Sequence, residues 1–149
     1  EQLARKHEAI SRFGSIETLF KKSRAEMACE KALRGLKQDK SWGGYDDVEA
    51  DARFAKHPEL VPHTLSDCLF AQGQATKLYW LRHACEKNAG DHWPAFQEHD
   101  DYCFRSMARI PPVSKDEALA VLDCLEEHEG IDRKEGPAIL RNLISGGWA

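Results

Sequence analysis

Apolar residues recur along most of the chain at the three- and four-residue spacing of an amphipathic helix, and no run alternates in the manner of a strand. Residues 2–13 form the first such pattern, which Gly14 ends. Ser15 is a preferred N-cap residue, and the apolar stripe after it predicts a second helix over residues 16–36. The pattern therefore favours an all-α fold.

Capping signals and helix stops predict the remaining helices. Asp46 with Glu49, and Ser114 with Glu117, have the spacing of a capping box, and Asp91 is a further N-cap candidate. Glycines and prolines end the helical patterns, so the predicted segments cover residues 46–56, 65–88, 92–109, 114–129 and about 135–145.

The helix predicted over residues 65–88 differs from the others because it is apolar on most of its sides. Such a helix usually packs against several neighbours, so we place it at the centre of the fold, with Trp80 and Trp93 in the core. Gly73 is interpreted as a point of close approach for a neighbouring helix. The short connections indicate antiparallel packing. The sequence thus predicts an all-α, single-domain bundle of six or seven helices around a long central helix, over residues 1–149.

Composition agrees with a globular domain but reveals an uneven charge. The chain has 149 residues, of which 42% are hydrophobic and 31% charged. Residues 1–40 carry 10 Lys and Arg against 6 Asp and Glu, whereas residues 41–149 carry 11 against 19. We therefore distinguish basic N-terminal helices (residues 1–40) from an acidic helical core (residues 46–145). The simplest interpretation of the basic segment is a solvated helix face; alternatively, it contacts an acidic partner, another copy of the chain or nucleic acid.

The cysteines indicate a reducing compartment. There are five of them, an odd number, they lie far apart, and no pair has the CxxC spacing. A secreted disulfide framework has a different pattern, so we expect reduced core thiols in a cytoplasmic protein. No apolar run is long enough to span a membrane, and no signal-peptide pattern is present.

Polar residues interrupt two otherwise apolar helix faces. At about 100° per residue, Gln72, Thr76 and His83 share a face with apolar residues of the central helix. Asp100 lies in the middle of the aromatic face of the next helix. If the two helices form a hairpin, we expect a hydrogen bond between His83 and Asp100 in a buried polar group. Such a pair fixes the helix register; alternatively, it holds a charge in the core for a ligand or acts as a base.

A possible metal site lies on the helix that also carries Asp100. His92, His99 and Cys103 are separated by seven and four residues, which places them along one helix edge. Imidazole and thiolate are ligands for zinc, copper or haem iron. One helix rarely supplies a complete ligand set, so we favour histidines that flank a core stripe, and we predict no cofactor.

The catalytic motifs of the common enzyme classes are absent from the sequence. It contains no Gly-rich phosphate loop, no HExxH and no GxSxG. The primary hypothesis is therefore a non-catalytic protein–protein interaction or regulatory module, with self-association as a homodimer. Trp42 and Trp148 lie in Gly-rich segments and are candidate anchors for a partner.

Two other functions stay open. The first is a bundle that binds a small ligand or a metal, with an enzymatic role included, built around His83 and Asp100. The second is nucleic-acid binding, which the sequence favours less because no known motif is present. It would depend on the basic residues of the N-terminal helices, Arg5, Lys6, Arg12, Lys21, Lys22 and Arg24.

One part of the chain resembles a group of known proteins. Its parts are a His-bearing helix (His83-Ala84), an acidic-aromatic helix (Asp100-Asp101), the turn Ile110-Pro111-Pro112-Val113-Ser114, and the helix start Glu117-Ala118-Leu119. This stretch, residues 83–130, resembles small helical proteins of alphaproteobacteria and their phages. The resemblance implies a bacterial source and a helical fold; those proteins have no settled activity, so it implies no function.

Overall fold

The computed structural model describes residues 1–146, so the prediction for Trp148 lies outside the described part of the chain. Seven helices of eight residues or more, together with the five-residue α2, make up this part. The helices are α1 (Gln2–Phe13), α2 (Ile16–Phe20), α3 (Arg24–Ala32), α4 (Asp47–Phe54), α5 (Leu65–Cys85), α6 (Pro94–Ser106), α7 (Lys115–Glu127) and α8 (Gly136–Ser145). Two 3₁₀ turns occur at Pro58–Leu60 and Gly130–Asp132. The predicted all-α bundle is confirmed.

Side-chain caps explain where several helices begin. The capping box at the start of α5 is complete: Thr64 accepts from the Asp67 amide, and the Asp67 carboxylate accepts from the Thr64 amide. Ser114 caps α7 by accepting from the Glu117 amide, but the Glu117 carboxylate bonds elsewhere. One oxygen of the Glu117 carboxylate accepts hydrogen bonds from the amide and the hydroxyl of Ser66 and so joins the starts of α5 and α7.

The single helix predicted over residues 16–36 is wrong, because the chain breaks between α2 and α3. A long-range contact accounts for the break: the Arg82 guanidinium donates to the carbonyl oxygens of Leu19 and Lys21 at the end of α2. Ser23 then starts α3 with a capping box to Glu26. These main-chain carbonyls would be bonded within one continuous helix, so the break frees them for Arg82.

The same arginine forms a buried ion pair. Its two terminal nitrogens donate to the two Glu26 oxygens at 2.8 Å and 2.9 Å, and the side chains are only 9% and 1% exposed. Trp93 lies 5.0 Å from the guanidinium carbon. Burial by itself raises the pKa of Glu26, but the hydrogen bonds and charge of Arg82, together with the hydrogen bonds from Ser23, hold this pKa below its usual value. This pair joins α3 to α5.

Two apolar clusters form the core, and α5 belongs to both. Its second half, with Ala75, Leu78 and Leu81, packs in the cluster that contains residues of α1 to α4. Its first half, with Leu65 and Cys68, packs in the cluster that contains residues of α7 and α8. The predicted central position of the long helix therefore agrees with the packing.

Two predictions about α5 are wrong in detail. Trp80 is 49% exposed and lies outside the core, because Leu78 and Leu81 take the inward positions around it. Gly73 does not contact a neighbouring helix: a Cβ added there would meet no atom within 4 Å. Within residues 1–146 no helix combines the length and apolar character needed to cross a bilayer.

Loss of Arg82 is expected to destabilise the fold strongly. Arg82→Leu leaves Glu26 buried without its cation, and such losses cost about 3–5 kcal/mol. Urea denaturation followed by circular dichroism measures the change. The control is Lys77→Leu, on the same helix as Arg82, which removes an exposed ion pair between Lys77 and Glu8 of α1. It should lower the free energy of unfolding by less than about 1 kcal/mol. Equal effects of the two substitutions would contradict this account.

Candidate functional site

A polar cavity of about 350 Å³ opens where α5, α6 and α7 meet the 3₁₀ turn at Gly130–Asp132. Helix α5 contributes Gln72, Gly73 and Thr76, and α6 contributes Asp100. Its remaining wall includes Leu69, Phe104, Cys124, Glu127, His128 and Arg133. The cavity therefore brings together residues that are far apart in the sequence.

Two acceptor oxygens at this cavity lack hydrogen bonds. Within residues 1–146, three buried side-chain atoms have no hydrogen-bond partner: Gln72 Oε1, Asp100 Oδ1 and Glu98 Oε1. The first two belong to residues that line the cavity, whereas Glu98 does not line it. Buried polar atoms almost always have a partner in protein or bound solvent. Residues of the cavity wall therefore carry two of the three unpartnered atoms among residues 1–146.

The electrostatic environment of Asp100 is unfavourable for a free carboxylate. Burial raises its pKa to about 7, and the neighbouring Asp101 carboxylate adds to the effect. The Arg133 guanidinium lowers this pKa, but it does not compensate for burial. Near neutral pH the protonated form of this carboxyl group is therefore favoured far more than in an exposed aspartate. A donor or a cation beside Oδ1 would favour the ionised form.

Arg133, the one arginine that residues 1–146 contribute to the cavity wall, is held by other groups. The guanidinium carbon of Arg133 lies 3.9 Å from the centre of the Phe104 ring. Its terminal nitrogen is 3.5 Å from Asp101 Oδ1, and its Nε is 4.0 Å from a Glu135 oxygen. Arg133 thus stacks on an aromatic face and faces two other carboxylates, which leaves Asp100 Oδ1 without a partner among the described residues.

The structure brings together three of the four residues predicted as a buried polar group. Gln72, Thr76 and Asp100 line the cavity, but His83 does not. The His83 Nδ1 lies 2.9 Å from the Tyr79 carbonyl oxygen, and its ring lies 4.0 Å from the Tyr79 ring. The predicted His83–Asp100 hydrogen bond is therefore wrong.

The register of the α5–α6 hairpin explains this error. Asp100 lines the same cavity as Thr76. His83 is seven residues further along α5, which is about 10 Å at about 1.5 Å per residue. It lies instead beside Gln2 and Arg5 of α1 in a separate surface hollow. The helical period identified the shared face, but not the level of each residue along the helix axis.

The candidate metal ligands do not form a site, and His92 precedes α6 instead of lying on it with His99 and Cys103. The His99 Nε2 lies 2.8 Å from the Leu60 carbonyl oxygen, and Cys103 Sγ is 3.9 Å from that nitrogen. His92 instead packs against the rings of Tyr79 and Phe96. Burial lowers the pKa of both histidines. Across residues 1–146, no group of three or more His, Cys, Asp or Glu side chains is placed to hold a metal ion.

The other candidate residues have different surroundings. Trp42 is 54% exposed, with the Lys40 ammonium 5.6 Å from its ring, so its side chain is accessible to a partner. Among the basic N-terminal residues, Arg5 pairs with Glu1 and Lys22 pairs with Glu30. Part of the basic charge proposed for nucleic-acid binding is thus neutralised within the fold.

Comparison with known proteins adds no family to this description: no protein-family model, curated protein or solved structure matches the chain. The resemblance of residues 83–130 to small bacterial and phage proteins stays a prediction. The candidate site is therefore interpreted from its own geometry.

Replacement of Asp100 tests its environment. Below about pH 4 the carboxyl group is protonated in both the folded and the unfolded chain. Between about pH 4 and pH 7 only the unfolded chain loses the proton, so the folded protein loses stability as the pH rises. Asp100→Asn removes this loss and should raise the free energy of unfolding at pH 8 by on the order of 2 kcal/mol, with little effect at pH 4.

Urea denaturation at both pH values measures the difference. Asp123→Asn on the exposed surface of α7 is the control, with an expected change below about 0.5 kcal/mol. An Asp100→Asn effect that is the same at pH 4 and pH 8 would show that the Asp100 carboxyl is not destabilised by burial.

Proposed function

We propose that this protein binds a small polar molecule through its hydrogen-bond donors, in the cavity between α5, α6 and α7. The observation that carries the proposal is the pair of buried acceptors, Gln72 Oε1 and Asp100 Oδ1, that lack partners at one cavity. Each unsatisfied group of this kind costs about 1–3 kcal/mol. A ligand that donates to both would recover this free energy.

The charge around the cavity favours a ligand with hydrogen-bond donors over an anionic ligand. Asp100 and Glu127 contribute carboxyl groups to its wall. The cavity also adjoins Cys124 and Glu127 in the last turn of α7, which is the negative end of the helix dipole. An anionic ligand would meet repulsion from these groups, whereas a ligand rich in N–H or O–H donors would not.

The size and the chemistry of the wall support binding rather than covalent reaction. About 350 Å³ lies at the lower end of the range of small-molecule pockets. Cys124 is the thiol at the cavity, and burial raises its pKa, with Glu127 and Asp100 adding to the effect. The thiolate needed for nucleophilic attack is therefore disfavoured. The cavity offers acceptors and apolar surface for recognition.

Gly73 gives a test that leaves the polar groups in place. It borders the cavity, and a Cβ there meets no atom within 4 Å. Gly73→Phe should narrow the cavity and weaken binding by about tenfold or more, which corresponds to about 1.4 kcal/mol. Gly73→Ala is the matched control, with affinity retained and helix stability raised by up to about 1 kcal/mol.

Ligand-observed NMR of small amines, amides, alcohols and sugars, each tested alone, measures this binding. Protection of Cys124 from a maleimide in a Cys85→Ser background reports the same event, because Cys29, Cys68 and Cys103 are buried. If no compound binds in a manner that Gly73→Phe weakens, the proposed function is refuted.

Self-association is a second candidate, favoured by a second and largely apolar groove. This groove has a volume of about 480 Å³ and includes Phe70, which is 70% exposed, with Glu59 and Asp67 among its acidic residues. The occupant we propose is helix α1 of a second copy, which exposes Leu3 and Ile10 in the basic segment of the chain. Apolar surface and opposite charge then match across a head-to-tail contact.

Light scattering after size-exclusion chromatography tests this association. The apparent mass should rise with protein concentration, and Phe70→Ser should return it to that of the monomer. Val48→Ser, at another strongly exposed apolar position, is the matched control and should change nothing. A monomeric mass at every concentration would exclude the contact.

The five free cysteines support our proposal of a cytoplasmic location.

A further inference from the structure

We infer that the ligand of the polar cavity is a small primary alkylammonium ion, with the carboxylate of Asp100 as its counter-ion. This inference rests on the proposed function, because it names the chemical class that the same cavity binds. It goes beyond that function by requiring a positive charge on the ligand. A neutral donor, such as a carboxamide, would satisfy the proposed function but not this inference.

The first argument is the number and arrangement of the acceptors. An ammonium group carries three N–H donors and has no acceptor. Besides the exposed Glu127 carboxylate, the residues of the cavity wall carry three further oxygen acceptors, namely Asp100 Oδ1, Gln72 Oε1 and the Thr76 hydroxyl. Gln72 and Thr76 are four residues apart and so share one face of α5, while Asp100 comes from α6. Three acceptors from two helix faces suit a tetrahedral donor group.

The second argument is the charge balance at Asp100. The charged and titratable groups around it are Asp101 and Cys103 on its own helix, Cys124, Glu127 and His128 on α7, and Arg133 after the 3₁₀ turn. The α5 residues at the cavity are uncharged. Among these groups, the carboxyl groups of Asp100, Asp101 and Glu127 outnumber the one permanent cation, which is Arg133. The Arg133 guanidinium itself stacks on Phe104 and lies near the Asp101 carboxylate. A cationic ligand supplies the charge that Asp100 lacks.

The third argument is the apolar part of the wall. Leu69 and Phe104 line the cavity beside the polar groups, so a ligand with a short alkyl chain buries apolar surface there. Inorganic cations cannot gain this contribution. The charged end and the alkyl end of the ligand therefore meet different parts of the same wall.

Proton release follows from a cation that binds the ionised carboxylate. Because burial raises the pKa of Asp100 to about 7, the carboxyl group is mostly protonated at pH 6. Binding of an ammonium ion then displaces this proton, and the affinity should rise with pH by up to about tenfold per unit until pH 7. A neutral amide displaces no proton. The direction of the pH dependence thus distinguishes the two classes.

The test compares methyl- to butylammonium chloride with the matching alcohols and carboxamides. Calorimetry at pH 6 in phosphate and in HEPES, which differ in ionisation enthalpy, measures the proton released. We expect ammonium binding with proton release, weakened by about tenfold or more both in Asp100→Asn and in Gly73→Phe. Glu126→Gln, at an exposed position of α7 outside the cavity wall, is the control for the general field, with an expected loss below about threefold.

Each alternative outcome has a distinct meaning. If alcohols or amides bind in a manner that Gly73→Phe weakens and ammonium ions do not, the inference is overturned and the proposed function stands. Ammonium binding without proton release, or unaffected by Asp100→Asn, also overturns the inference. If none of the compounds binds, both proposals fail. Thr76→Val repeats the test by removing one acceptor without altering charge, should Asp100→Asn fail to fold.

Discussion

Helix α5 packs in two apolar clusters, one with each of its halves, and this constraint determines where the candidate site lies. Its first half packs with α7 and α8, and its second half packs with the N-terminal helices. The two clusters meet near the middle of the helix, between Cys68 and Ala75. Gln72 and Gly73 lie in this interval and Thr76 follows it, where no single cluster covers the helix completely.

Helix α6 also contributes residues to both apolar clusters, and it passes from one cluster to the other beside the cavity. Phe96 and Tyr102 belong to the N-terminal cluster, whereas Cys103 and Phe104 belong to the other. Asp100 precedes this change by one turn and so faces the corresponding part of α5 across the cavity. The cavity is therefore a consequence of joining two apolar cores through a shared helix pair, and its polar residues occupy the gap between them.

The sequence predicted much of this fold because caps and apolar periodicity are local signals. The first helix has the predicted bounds, and Asp46 and Ser114 cap the starts of α4 and α7 as predicted. The break after α2 was missed although Ser23 and Glu26 have the spacing of a capping box, while its contact with Arg82, some sixty residues away, has no local signal. Periodicity likewise placed polar residues on one face of α5 but could not give the register against α6, and for this reason His83 was misplaced.

The rest of the candidate site was missed for a related reason. Arg133 follows a 3₁₀ turn, and Cys124 and His128 lie near the end of α7, so their approach to Asp100 depends on how α7 packs against α5. No local pattern marks them. Periodicity identified the acceptors within two amphipathic helices, because a polar residue on an apolar face is visible in a single segment. The surrounding charges became visible only in three dimensions.

The cost of Asp100 to the folded state supports a functional interpretation of the cavity. A buried carboxyl group without a partner lowers stability, and an apolar residue of similar size would avoid that loss. Glu26 is also buried, but two hydrogen bonds from Arg82 compensate it, so its presence has a structural reason. Asp100 has no such compensation among residues 1–146. Residues that break the local rules of stability without a structural gain are concentrated at binding sites, and a ligand that binds only the folded state would restore the lost free energy.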